Sequence, residues 1–233
     1  MSGRPDAPIW SVDASAHVFV QDVDRPTLDP VDRHHLERVL RLRSGAAITV
    51  SDGNGRWRPC RFGPVVEPEG DVITEPAPTP QISIGFAVPK GDRPEWAVQK
   101  LTEIGVDRIV LLVTERSVVR WDAERGERQR ERLSRVAREA AMQARRAWLP
   151  QVEGPEGLAA LARNPGVALC TPGGDAPKLD RPFLLIGPEG GWSPSEADSV
   201  PAHVGVGPHV LRVETAAVVA GTLLVALRSG IVV

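Results

Sequence analysis

The chain is short of the residues that staple, anchor or broadly charge a protein. Its two cysteines, Cys60 and Cys170, lie far apart among 233 residues and match no metal-ligand spacing. A disulfide framework is therefore not expected, a reducing compartment is, and both thiols read as small buried hydrophobes. The opening stretch, MSGRPDAPIW, lacks the apolar core of a signal peptide. The long apolar run near the end, Ala216 to Leu227, is about a dozen residues, too short to span a bilayer. The expected location is the cytoplasm. No G-x-x-x-x-G-K-[ST] or G-x-G-x-x-G pattern is present, so neither a P-loop nor a dinucleotide fingerprint is implied. His34, His35, His203 and His209 have no acidic or thiol companions at ligand spacing, and no metal is expected. Net positive charge is missing too: the balance is −2, which argues against a general nucleic-acid binder. Its distribution is uneven, however. From Glu115 to Arg146 there are ten arginines against six acidic residues, and a smaller basic group, Arg33, His34, His35, Arg38, Arg41 and Arg43, sits near the start. Phosphate neutralisation needs a patch, not a basic protein.

What is present is concentrated near the carboxyl end, between Phe183 and Ala217. The apolar run Phe183 to Ile186 reads as a short buried strand, and it empties into Gly187-Pro188-Glu189-Gly190-Gly191. Glycines at a strand exit remove the Cβ wall, so a flat ligand can lie against main-chain N–H and C=O groups. After Trp192, Ser193 caps a new helix, with Pro194 at its first position and Glu196 completing a capping box. A second apolar stretch, Val204 to Val206, ends in Gly207-Pro208, and Leu211-Arg212-Val213-Glu214-Thr215-Ala216 leads into the last helix. Two strand-to-loop exits thus follow one another with a short helix between.

Upstream, residues 9 to 20 allow a strand, and Asp32 to Leu42 carries Leu36, Val39, Leu40 and Arg43 at helical spacing until Ser44-Gly45 stops it. Alternation around Asp52-Gly53-Asn54-Gly55 signals a hairpin. Short strands with turn glycines and one helix suggest a small β-barrel. Glu67 to Pro80, with four prolines and four acidic residues, reads as the outgoing edge of that barrel and then a linker. Beyond it the pattern becomes α/β. Ile82 to Val88 is a strand. Asp92 caps a helix, with Pro94 in its first turn, Glu95 closing the box, Ala97, Leu101 and Ile104 on its inner face and Gly105 at its end. Val106 to Val113 is a second strand, giving a βαβ unit with a right-handed crossover. A long helix follows from about Asp122 to Trp148, with Leu133, Val136, Ala137, Ala140, Ala141 and Ala144 inward and Pro150 closing it. Pro155 opens a short helix, Val167 to Cys170 is another strand, and Thr171 to Gly174 turns. The expected domains are 1–77 and 78–233.

The pairing of IGPEGGW with VGVGPHVLRVETAA resembles the C-terminal signature of the RsmE family, ribosomal-RNA uridine-N3 methyltransferases of the SPOUT class. The resemblance covers nearly the whole chain and is strongest from Lys90 onward. It extends to KGDRPEW, QKLTEIGV, TERS and EAAMQARRAWLP. It departs from the family pattern at Met142, Ala144 and Arg145, and at Val213, where a threonine is common. It implies an N-terminal PUA-like RNA-binding barrel and a C-terminal α/β domain whose deep trefoil knot holds S-adenosylmethionine; no periodicity would propose a knot. It further implies a homodimer and a uridine of 16S ribosomal RNA, within the 30S particle, as substrate. Cofactor contacts are expected from the backbone of Gly187, Gly190, Gly191, Gly207 and Leu211, with Leu185, Ile186, Leu211 and Ala216 as apolar walls and Glu189 and Val213 in the same motifs. Arg212 is the first candidate to stabilise the anion of the acceptor, and Glu214 to orient Arg212 or take the proton. Lys90, Arg93, Lys100, Arg116, Arg145 and Arg146, with Arg38 and Arg41, are the expected RNA contacts. Two other readings stay open: a SPOUT enzyme acting on another base or on transfer RNA, and a non-catalytic RNA-binding assembly factor.

Overall fold

Alternating apolar residues on short strands build the first part of the protein, and a computed structural model describes Ile9 and residues 12–232. The rest of the opening stretch read above for a leader lies outside the described residues. The chain forms two units: residues up to Ala77 together with Ala141–Leu149, and Pro78–Ala140 together with Pro150 onward. The segment 141–149 thus joins the first unit, outside the boundaries expected from sequence.

In the first unit β1 (Ala16–Phe19) runs parallel to β2 (Ala47–Ser51), which pairs antiparallel with β3 (Arg56–Arg61); β3 also pairs with β4 (Glu67–Pro68) and β5 (Ile73–Thr74). The hairpin turn forms as its residues demand: Asp52 Oδ1 accepts from the Asn54 and Arg56 N–H groups at 2.8 and 3.1 Å, and Gly53 and Gly55 take positive φ. Val18, Leu36, Ile48, Val50 and Cys60 fill the core. The expected helix 32–42 is not a single amphipathic one. A five-residue α1 (Pro30–His34), started by the Asp29 carboxylate on Val31 N–H, widens into a π-turn over His35–Val39. Only Leu36 of its apolar set is buried; Val39 and Leu40 are 62% and 44% exposed, and Arg41 leaves with a left-handed φ of 53°. Residues 141–149 are tied in by polar contacts. His17 donates from Nε2 to the Arg146 carbonyl (3.1 Å) and its Nδ1 meets Thr49 Oγ1 (3.0 Å), while Ser51 Oγ donates to the Ala147 carbonyl (2.9 Å).

The second unit is a six-stranded parallel sheet in the order β11-β9-β10-β6-β7-β8. Its elements in chain order are β6 (Ser83–Ala87), α2 (Arg93–Ile104), β7 (Arg108–Val113), α3 (Ala123–Gln143), β8 (Gln151–Gly157) and α4 (Leu158–Leu161). Then come β9 (Val167–Asp175), β10 (Phe183–Ile186), α5 (Pro194–Ser199), β11 (His203–Val204) and α6 (Val213–Arg228). The last three residues of α3 belong to the first unit. Side-chain alternation sends Ile84, Phe86, Ile109, Leu111, Leu184 and Ile186 to the face covered by α2 and α6, and Val110, Leu112, Phe183 and Leu185 to the face packed with Leu158, Leu161 and Val200.

Four expectations change. Pro155 lies inside β8, the edge strand of this sheet, where a missing N–H costs no ladder bond; only Val152 signals it. β9 runs on to Asp175, straight through Thr171–Gly174, which were expected to turn. The long helix stops at Gln143, not Trp148. Asp92 precedes α2 in a helical conformation and makes no capping bond, and Glu95 instead pairs with Arg132 at 3.0 Å. By contrast the Ser193–Glu196 capping box and the left-handed Gly105 terminus are present.

The contact of α6 with α2 rests on Gly221. A Cβ there would lie 2.9 Å from Val106, 3.0 Å from Leu101 and 3.1 Å from Ile104 side-chain atoms. Gly221→Leu should therefore force the helices apart and cost about 1–3 kcal/mol; an unchanged midpoint in chemical denaturation would refute this.

Candidate active site

Where β10 ends beside the middle of β9, the sheet opens into a cleft of about 660 Å3, within the ~300–1,000 Å3 typical of small-molecule sites. One wall is the β10 exit, Ile186 to Glu189 with Gly191. The facing wall is the approach to α6, Val206 to Gly207 and His209 to Val213, with Ala216 from the first turn of the helix. The floor comes from β9, as Cys170, Thr171 and Pro172, and Arg93 closes one side. The two consecutive exits singled out in the sequence thus face each other.

Trp192 explains the shape of the glycine wall. Its ring folds back over Gly187, where a Cβ would lie 2.9 Å from it, and its Nε1 donates to the Cys170 carbonyl at 3.1 Å. The loop is braced from outside by Arg116, which donates to the Gly190 and Trp192 carbonyls at 2.9 and 3.1 Å. The Glu196 carboxylate, besides capping α5, accepts from the Glu115 N–H at 2.8 Å. The Ser193 and Ser195 hydroxyls hold the exposed Glu115 carboxyl below its usual range. The Thr114–Ser117 block therefore fixes the loop.

Arg93 links three segments. It donates from Nε to the Lys90 carbonyl (3.0 Å) and pairs with Glu189 (3.1 Å) and with Glu214 (3.7 Å). Glu214 is 8% exposed, and its Oε2 is buried with no hydrogen-bond partner among the described residues. Arg212 stands at the N-cap of α6 in extended conformation, exposed on the cleft lip; its side chain caps nothing, so the first N–H groups of the helix stay free of side-chain acceptors. Burial pushes the Cys170 thiol up to about 12. It stays protonated at neutral pH and is a poor nucleophile toward an electrophile held beside it.

Most of the expected site residues meet here: Ile186, Gly187, Glu189, Gly191, Gly207, Leu211, Arg212, Val213 and Ala216 line the cleft. Leu185 does not; strand alternation turns it to the opposite face, beside Phe183 and Val200. Gly190 lies outside the lining and serves as an acceptor for Arg116. Glu214 faces Arg93, not Arg212. Among the expected RNA contacts, Arg93 and Arg116 are engaged at the cleft and its loop, and Lys100 pairs with Glu103 at 2.7 Å. Arg145 spends its guanidinium on the Val12 and Ala14 carbonyls, and the Arg146 carbonyl accepts from His17. Arg38 and Arg41 in the first unit and Lys90 in the second are exposed, with no ion pair among the described residues. Sequence reading missed Trp192, Cys170, Thr171 and His209 as lining residues. The apolar run before Thr171-Pro-Gly-Gly was the available signal for the β9 pair.

The cleft itself fits an adenosyl sulfonium. It offers exposed main chain at Gly187, Gly191 and Gly207, apolar surface at Ile186, Leu211 and Ala216, a carboxylate at Glu189 to meet a cation, and a thiol kept neutral. Gly207 lines this space, has ordinary negative φ, and a Cβ built on it meets nothing within 4 Å. Gly207→Leu should accordingly fill the cleft, weakening cofactor binding by at least ~10-fold, about 1.4 kcal/mol, with an unchanged Tm. Calorimetry and thermal unfolding on the same sample would check both halves.

Residues 75–225 match the family model described as RNA methyltransferase domain, and residues 28–63 match RNA methyltransferase PUA domain. A ribosomal RNA small subunit methyltransferase E from Mycobacterium bovis is 31% identical over 221 residues, covering 83% of this chain and 83% of that one. Its namesake from Bacillus subtilis is 28% identical over 211 residues, covering 78% and 82%. Among solved structures, a ribosomal RNA small subunit methyltransferase E from Neisseria gonorrhoeae bound to S-adenosyl methionine is similar at 25% identity, with a TM-score of 0.72 over 91% of this chain and 97% of that one.

Proposed function

Since the chain belongs to the RNA methyltransferase family that includes the small-subunit methyltransferases E, we propose that it methylates N3 of a uridine in 16S ribosomal RNA with S-adenosylmethionine. The observation that carries this is the glycine-walled cleft between the β10 exit and α6, with Arg212 exposed on its lip and without an ion pair among the described residues. When bound, S-adenosylmethionine would supply an electrophilic methyl group for the acceptor nitrogen, with a neutral thioether as the leaving group.

This chain's residues do the rest. Main-chain groups of Gly187, Gly191, Gly207 and Leu211 hold the adenosyl portion, with Ile186, Val213 and Ala216 as apolar walls and Glu189 opposite the positive charge. The acceptor N3–H is weakly acidic, so it must lose its proton before the nitrogen can attack. Arg212 stabilises the resulting anion across the imide oxygens. Glu214 is the proton acceptor: its carboxylate is buried beside the cleft-lining Val213, and its Oε2 has no hydrogen-bond partner among the described residues. Arg38, Arg41 and Lys90 contact RNA phosphates.

The wider reading follows from the same family. The catalytic domain carries a trefoil knot, two copies associate as a homodimer, the assembled 30S particle is the substrate, and the reaction takes place in the cytoplasm. The test is to incubate the protein with labelled cofactor and small subunits lacking the mark, then map the methyl. One N3-methyluridine is expected. Cofactor binding without transfer would replace this reading with that of an assembly factor, and a methyl on another base or on transfer RNA with that of a different SPOUT enzyme.

A further inference from the structure

The cleft opens where β10 leaves the ladder it shares with β9. The two strands pair in parallel from Phe183 with Val167 to Ile186 with Cys170, after which β10 ends and β9 continues to Asp175. The first rung runs from the Phe183 N–H to the Gly166 carbonyl. Alternate residues of an inner strand bond to opposite neighbours, and Leu169 accordingly donates to the Ala202 carbonyl on the β11 side. Continuing the β10 ladder from its first rung brings the Cys170 carbonyl level with Gly187, where the strand has already stopped. A carbonyl in that position needs another donor, and the Trp192 indole Nε1 supplies it at 3.1 Å. We infer that Trp192 is a positioning residue for methyl transfer. Its indole stands in for the missing rung and fixes the gap between the Cys170–Pro172 floor and the Ile186–Glu189 wall, so that the cleft is preorganised for the cofactor. The inference rests on the methyltransferase reading above.

The indole is held firmly enough to act as a spacer. Its ring lies over Gly187, where a Cβ would come within 2.9, 3.1 and 3.2 Å of three ring atoms. Gly187 does not take positive φ, so space and not conformation requires glycine there. The ring also packs with the cluster that contains Phe183, Leu185 and Val200. On the main chain, Arg116 grips the Trp192 carbonyl, and the next residue, Ser193, is pinned by the capping box of α5. The side chain cannot swing away from Cys170 without disturbing one of these contacts. Among the described tryptophans, Trp192 is the one that lines the cleft. The indole N–H donates and cannot accept, so phenylalanine at 192 keeps a ring over Gly187 and removes the rung.

Trp192→Phe should raise the S-adenosylmethionine dissociation constant roughly 10-fold, equivalent to about 1.4 kcal/mol. Single-turnover transfer at saturating cofactor should stay within about threefold of the parent, a split that a general loosening of the fold would not produce. Gly187→Ala, whose methyl group displaces the ring, should weaken binding by a similar factor in the parent. In Trp192→Leu, where no ring stands in its way, the same change should weaken binding by less than about twofold. Calorimetry reads all the affinities. Unchanged cofactor affinity in Trp192→Phe, a loss confined to the transfer step, or additive effects of Gly187→Ala and Trp192→Leu would each overturn the assignment. Should the phenylalanine variant fail to fold, the cycle of Gly187→Ala with Trp192→Leu decides it. Failure of the underlying reading is distinguishable, since the unaltered protein would then transfer no methyl group to RNA.

Discussion

Arg228→Ala should destabilise the protein by about 3–5 kcal/mol, the cost of leaving a buried charge without its partner, and lower Tm by on the order of 10 °C. Arg228 sits in the last turn of α6, with its side chain 14% exposed, and pairs with the 10% exposed carboxylate of Asp107. The same guanidinium donates to the Pro80 carbonyl at 3.1 Å and the Gly105 carbonyl at 2.9 Å. Asp107 Oδ2 also accepts the Ile82 N–H at 2.8 Å. One fork therefore joins the entry to β6, the turn between α2 and β7, and the end of the final helix. An alanine at 228 strands the Asp107 carboxylate and removes a cation from the negative end of the helix dipole. Lysine at 228 keeps the charge but not the fork, and should recover less than half of the loss. Combining Arg228→Ala with Asp107→Ala should cost less than the sum of the two, since the second change removes the stranded charge. Guanidinium denaturation of the parent, Arg228→Ala, Arg228→Lys, Asp107→Ala and the double variant decides it; a loss below ~1 kcal/mol for Arg228→Ala would mean the pair behaves as a solvated one.

This clamp was invisible in the sequence, because Asp107 and Arg228 are 121 residues apart and neither stands in a recognisable motif. The elements it joins were legible: β6, α2 and β7 announce themselves by apolar runs and a terminating glycine. What escaped reading has a common physical cause, the overruling of local pattern by pairing. β8 carries one buried apolar residue and a proline yet forms, because β7 supplies a ladder from Arg108 to Val113. Thr171–Gly174 looks like a turn but is drawn straight by β11, with Gly174 close against the Val204 and Gly205 backbone. The cleft was legible where it is made of main chain, since glycines must sit where a ligand lies close. It was not legible where it is made of direction: Leu185 and Ile186 are neighbours in sequence and face opposite sides of the sheet. The arginines show the same limit. Arg116 and Arg145 look like phosphate ligands in a string of letters, and in the fold they hold carbonyls.

Arg212→Ala should slow methyl transfer by about 10²–10³-fold, the loss expected when one donor to a developing oxyanion is removed, with cofactor affinity changed less than twofold. The expectation follows from where Arg212 stands. It is exposed where the wall before α6 meets solvent, it has no ion pair among the described residues, and its side chain does not cap the helix it precedes. Removing its side chain therefore disturbs neither the glycine loop nor the register of α6, and Tm should hold. Arg93→Ala is the contrast: Arg93 is paired with Glu189 and Glu214, so its loss should displace both carboxylates and alter binding and turnover together. Because Arg212 acts by stabilising the deprotonated acceptor, the variant should regain rate as pH is raised and solvent takes over the ionisation of N3. A residue that merely shaped the lip would show no such pH-dependent recovery. Single-turnover transfer across pH, with calorimetry for the cofactor, separates the cases. Transfer at the parental rate would remove Arg212 from the mechanism, and a matching fall in cofactor affinity would move it from the acceptor side of the cleft to the cofactor side.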